Sequence, residues 1–152
     1  MKNKAKVVVI GGGVVGVSTL YHLAKKGWSD VVLCERKELT SGSTWHAAGL
    51  MPLFNMSYSV GQIHKYSVKF YQELEKETGQ DVGFREVSNI RLAENQDRMD
   101  EYRQYAGVAE TIGVKVNFLT PEEVQKAWPL CSIEGLVGAI QHPEDGYIQP
   151  ND

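Results

Sequence analysis

Two groups of residues in this 152-residue chain are of types and spacings that could do chemistry. Gly11, Gly13 and Gly16 form G-x-G-x-x-G, and Glu35 follows 19 residues after the last of them (35 − 16). In a strand-turn-helix setting the three glycines serve a tight turn, close approach of backbone to a pyrophosphate, and close helix–strand contact. Val14 and Val15 then open a helix whose first amides have no internal partner and whose dipole favours an anion. Glu35 could accept both hydroxyl protons of an adenosine ribose and would repel a 2′-phosphate, which disfavours NADP. Arg36 beside it can stack on an adenine or stand solvated. The motif does not separate FAD from NAD. The second group is Ser41–Gly49, "SGSTWHAAG", where one imidazole, His46, stands among residues that are nearly all small.

The surrounding elements give the motif its setting. Val7–Ile10 is a β-branched apolar run, expected to be a strand buried on both faces. Residues 14–26 carry apolar positions at helical spacing, with Gly27 placed to end the helix. Residues 30–34 are a second strand, completing a βαβ unit with parallel strands. Residues 40–57 read as loop. Tyr58–Thr78 reads as a long helix with Ile63, Tyr66, Phe70 and Leu74 on one face, ended by Gly79. Residues 82–95 read as one or two strands turning near Ser88 and Asn89. Asn95 can cap a helix through Ile112 with Met99, Tyr102, Ala106 and Ala109 inward. Residues 114–119 form a short strand. "TPEE" at 120–123 is a helix start, with hydroxyl cap, proline and Glu three residues on. Residues 136–141 are strand-like, and 142–146, "HPEDG", make a turn. His22 and His64 fall in helices as surface residues, and His142 is expected to be structural.

Composition bounds the rest. Apolar residues are 42% and charged residues 23%, ordinary for a globular protein. A net charge of −3 gives no basic surplus for nucleic acid. Cys34 and Cys131 match no metal or redox spacing, and Cys34, within "VVLC", is expected to be a buried structural thiol. The only long apolar stretch near the start is broken by glycines, so no membrane span is expected, nor a signal peptide. A cytoplasmic, reducing location is the default.

The stretch 7–50, from "VVVIGGGVVG" to "SGSTWHAAGL", resembles the amino-terminal FAD domain of the D-amino-acid-oxidase-like flavoprotein superfamily. "SGSTWHAAG" is similar to the dimethylglycine and sarcosine dehydrogenase group, and "HPEDGYIQP" at 142–150 resembles the superfamily's return toward the FAD domain. The resemblance implies an α/β fold class: a Rossmann-like FAD-binding βαβ unit, then part of an α+β substrate domain, in an incomplete chain. Residues 1–80 would be the first part of the FAD domain, 81–140 a substrate-domain segment, and 141–152 a return toward the FAD domain. It implies FAD bound covalently through His46. Ser43 and Thr44 would donate to pyrophosphate or ribityl oxygens, Trp45 would pack beside the ring, and the cofactor-contacting run would continue through Ala48, Gly49 and Leu50. The implied activity is oxidation of an N-methyl glycine by hydride transfer to flavin. Electron-transfer flavoprotein and folate are implied as partners, and no catalytic acid or base is assigned. Two other readings stand beside it: a nucleotide-binding fragment without activity, as the 152 residues alone are expected to be, and an amino-acid oxidase with noncovalent FAD.

Overall fold

The computed structural model describes residues 3–53 and 55–150. Two compact units divide the chain, one ending at Ala48 and the other running Gly49–Pro150.

The first unit is the expected βαβ. Strand β1 (Val7–Ile10) and strand β2 (Val31–Cys34) pair in parallel, Val7 opposite Val31 through Ile10 opposite Cys34. Helix α1 (Val14–Lys25) connects them and ends as Gly27 adopts a positive φ of 85°. The expectation that β1 is buried on both faces is corrected. Val7 and Val9 are half-buried, whereas Val8 and Ile10 are exposed, Ile10 at 88%. α1 packs on the β1–β2 pair. Among the described residues of this unit, nothing covers the opposite face. Cys34 is corrected with it: the thiol is free and exposed, because its register with Ile10 places it on the same bare face.

Among its described residues the second unit holds two three-stranded antiparallel sheets and three helices. Strand β3 (Leu50–Met51) and strand β4 (Arg85–Glu86) flank strand β8 (Gly146–Tyr147). Strand β5 (Asn89–Ala93) and strand β6 (Asn117–Leu119) flank strand β7 (Gly138–His142). Helix α2 (Tyr58–Thr78) has the expected bounds, closed by Gly79 at φ 73°. Helix α3 (Gln96–Ile112) is capped by Asn95, whose side chain accepts from the Arg98 amide, an arrangement typically worth about 1 kcal/mol. Helix α4 (Pro121–Ala127) carries the full reciprocal cap between Thr120 and Glu123.

Burial of α2 departs from its apolar stripe. Ile63 and Tyr66 are exposed, and the buried line runs through Gly61 and Val68. The reason is steric. A Cβ at Gly61 would meet Ile112 Cδ1 at 2.6 Å, so the missing side chain lets α3 approach on that side. Leu53, Val68, Ala109, Ile112 and Val114 form one core cluster there. Residues 49–80 thus pack within the second compact unit. A second cluster joins Ala93, Met99, Tyr102 and Ile140, and the Tyr102 hydroxyl donates to Leu92 O at 2.9 Å.

Asp145 ties three segments. Its carbonyl accepts from the Val87 and Ser88 amides, and its buried Oδ1 accepts from the Leu53 amide at 2.9 Å. His142, at the end of β7, is almost fully buried, in line with a structural role. Burial first, and the positive charge of Arg91 second, depress its imidazole from 6.5 to about 4. The folded state thus binds fewer protons than the unfolded chain across that interval, so acidification from pH 6.5 toward 4 removes stability. We expect His142→Leu to lose less melting temperature than the wild type between pH 7.5 and 5. Equal losses measured by scanning calorimetry would refute this role.

Candidate functional site: the glycine loop and the histidine turn

Gly11 leaves β1 with φ at 102°, a conformation open to glycine, and its amide donates to Cys34 O at 2.8 Å. Gly16 is the tightest point. A Cβ there would lie 1.9 Å from Gly11 O, so α1 can start this close to β1 only with glycine at position 16. Gly13 is the N-cap residue of α1 and has no side chain with which to cap it.

The cap comes from elsewhere in the chain. The Val14 amide, first in the helix, donates to Thr44 Oγ1 at 3.0 Å. The Thr40 amide donates to Gly12 O at 2.9 Å. Residues 40–47 thus hang from the glycine loop. Within this expected loop lies a 3-10 turn, Thr44–His46. Two side chains brace it from inside: Trp45 Nε1–H donates to Ser41 O at 3.2 Å, and His46 Nδ1 lies 3.0 Å from Gly42 O. The indole and imidazole rings sit 3.9 Å apart at 36°.

Glu35 is held by backbone. Its Oε2 accepts from the Gly12 amide at 2.7 Å and its Oε1 from the Lys37 amide at 2.8 Å. These bonds, Gly12's first, hold its carboxyl below the ordinary 4.5. A carboxylate has about four acceptor directions, so two remain for ribose hydroxyls. The amides of Gly12 and Lys37 are the contacts that sequence reasoning missed, since a residue type says nothing of its own backbone N–H.

Between these parts runs a groove of about 620 Å³, within the usual size of a cofactor site. Gly11, Gly13, Val14, Val15, Gly16, Glu35, Arg36, Ser43 and Thr44 are among its lining residues. Gly42 and Ala47 join them, as do Thr19, Lys37 and Ser41, which were unanticipated as lining residues. His46, Ala48, Gly49 and Leu50 are not among the lining residues. Trp45 and His46 are exposed. Gly49 has a local reason for its type: a Cβ there would lie 2.1 Å from Ile148 O, and its own carbonyl accepts the Ile148 amide. Leu50 pairs with Tyr147 and is 67% exposed.

The family description "DAO: FAD dependent oxidoreductase" matches residues 6–152. The chain belongs to that family of FAD-dependent oxidoreductases. It is 44% identical over 149 residues to mitochondrial dimethylglycine dehydrogenase of Homo sapiens, covering 98% of this chain and 17% of the relative. It is 39% identical over 151 residues to human mitochondrial sarcosine dehydrogenase, covering 99% and 16%. The chain thus spans about a sixth of the length of these curated relatives. Among solved structures, an L-proline dehydrogenase from P. horikoshii matches with a TM-score of 0.92 at 27% identity, over 99% of this chain and 40% of that one. The fold is that of FAD oxidoreductases. Among the described residues no helix is long and apolar enough to cross a membrane.

The groove suits the pyrophosphate half of FAD. Val14 at the start of α1, Ser43, Thr44 and the glycines at 11, 13 and 16 all line it. Gly16→Ala should force α1 off β1, an overpacking cost on the order of 1–3 kcal/mol, and weaken FAD binding at least tenfold. Titration of flavin-free protein with FAD checks this, and unchanged affinity would show that the helix start does not form the site.

Proposed function

We propose that this chain is the FAD-binding portion of an enzyme that oxidises N-methylated glycines, dimethylglycine or sarcosine, and that His46 bonds covalently to the flavin. The curated relatives named for those two substrates support the substrate class. One observation carries the tether, the contact of His46 Nδ1 with Gly42 O. A carbonyl only accepts, so the contact is a hydrogen bond when Nδ1 carries the proton. The neutral ring then has its lone pair on Nε2, the form in which imidazole is a nucleophile near neutral pH. The tether would join Nε2 to the flavin 8α carbon with loss of one methyl proton and transfer of two electrons to dioxygen or to the protein's own electron acceptor.

When bound, FAD supplies the acceptor for a hydride from the N-methyl carbon, leaving the substrate as an iminium. This chain's residues do the holding. The glycine loop and the α1 amides take the pyrophosphate. Glu35 takes the ribose. Gly42, Ala47, Ala48 and Gly49 are small enough to let a planar ring lie close to backbone. Assignment of residues 1–80 and 141–152 to the FAD domain and 81–140 to the substrate domain belongs to the same reading. So do transfer of electrons to an electron-transfer flavoprotein, a folate-binding region elsewhere in the protein, and a cytoplasmic location.

In the full-length protein we expect flavin to stay on the polypeptide after acid precipitation, and His46→Ala to release it while still binding FAD noncovalently. Peptide mapping decides: flavin on a peptide without His46, or on none, overturns the tether. We also expect residues 1–152 alone to show no turnover of sarcosine or dimethylglycine. Flavin-dependent formaldehyde release by that chain would contradict this.

A further inference from the structure

We propose that Thr44 is a positioning residue that couples seating of a dinucleotide pyrophosphate to the presentation of His46. The proposal rests on the reading of the groove as a dinucleotide site. Gly13 occupies the N-cap position of α1 without a capping side chain, and the vacancy is filled from 30 residues away, by Thr44 Oγ1 on the Val14 amide. A hydroxyl that accepts one hydrogen bond still has a proton to donate. A phosphate oxygen at the start of α1 would meet that proton and the neighbouring amides together. Thr44 then bridges ligand and helix at once.

A short, braced route leads from Thr44 to His46. The two residues open and close the same 3-10 turn. The turn is closed by the Ala47 amide on Thr44 O at 3.1 Å. The side chains of Trp45 and His46 each reach back four residues, to Ser41 O and Gly42 O. A turn braced in this way moves as a piece, so fixing its first residue fixes the imidazole at its last. Thr40, bonded to Gly12 O, anchors the upstream end. The anchor leaves Thr44 as the described contact between the turn itself and α1.

A residue that merely lined the phosphate site would alter FAD affinity and tethering in step. A positioning residue separates the two. Flavin-free full-length protein is loaded with saturating FAD. Total bound flavin is measured after desalting, and acid-stable flavin is followed with time. In Thr44→Val, which keeps the shape and loses the acceptor, FAD binds more weakly, so FAD is raised until total bound flavin equals that of the wild type, and tethering is then at least tenfold slower. Thr44→Ser restores the rate. Tethering at the wild-type rate in Thr44→Val overturns the proposal, as does failure of Thr44→Val to bind FAD at saturation.

A second measurement needs no tether. Diethyl pyrocarbonate acylation of His46, read by peptide mass on flavin-free protein, should slow at least threefold when saturating ADP is added. The slowing should persist in Thr44→Ser and vanish in Thr44→Val while ADP remains bound. An acylation rate in wild-type protein that ignores bound ADP overturns the coupling even where the tether is found. No acid-stable flavin in wild type, with the ADP response intact, overturns the tether alone and leaves the coupling standing. Absence of ADP binding overturns the nucleotide reading and the proposal with it.

Discussion

Everything in the first unit depends on the contact between Gly16 and the carbonyl of Gly11. A helix normally begins at some distance from the strand that feeds it. Here there is no room for even one methyl group between them. That proximity brings the amide end of α1 to the mouth of the sheet, beside the end of β2. Glu35 is therefore close enough to reach the Gly12 amide, and Thr44 close enough to reach Val14. The groove is the space left between parts drawn together in this way. Its electrostatics are mixed by construction: amide dipoles at one end favour an anion, and a carboxylate held ionised by two amides stands beyond them, suited to hydroxyl donors.

The second unit is organised by backbone as well, through Asp145. One residue's carbonyl and carboxylate gather the chain after β3, the β4–β5 turn and the start of β8. Two-residue strands such as β3, β4 and β8 have little stability of their own, and a shared buried acceptor compensates. Asp145 sits there at a cost. Burial, the leading effect, raises its carboxyl above the ordinary 3.8, while the Leu53 amide and the charges of Arg91 and His64 pull the other way.

Long, well-punctuated elements were legible in the sequence. Gly79 ends its helix with positive φ, Asn95 and Thr120 both cap, and the βαβ unit follows its apolar runs. Three kinds of feature were not. The short strands β3 and β8 exist only through their partners, so no periodicity marks them. Which side of α2 is buried was decided by a missing side chain at Gly61, although the apolar stripe runs through Ile63 and Tyr66. Cys34 and Ile10 lie on a sheet face that has no cover within its unit, so an apolar run could not reveal their exposure. In the site, the glycines and Glu35 were expected from type and spacing and Ser43 and Thr44 from the resemblance, and all of them line the groove. The partnership of Thr44 with Val14 was not, because a hydroxyl that caps a helix 30 residues upstream leaves no local trace.

On the proposed reading the groove would meet its ligand chiefly with main-chain groups, and this has a genetic consequence. Amides are contributed alike by nearly every residue, so codons 14 and 15 answer to the shape of the backbone more than to the identity of a side chain. Information about the ligand is concentrated elsewhere: in the absence of a side chain at 16, a carboxylate at 35 and a hydroxyl at 44. A lineage could rewrite most of this loop and keep its nucleotide, while a single added carbon at one codon would not be forgiven.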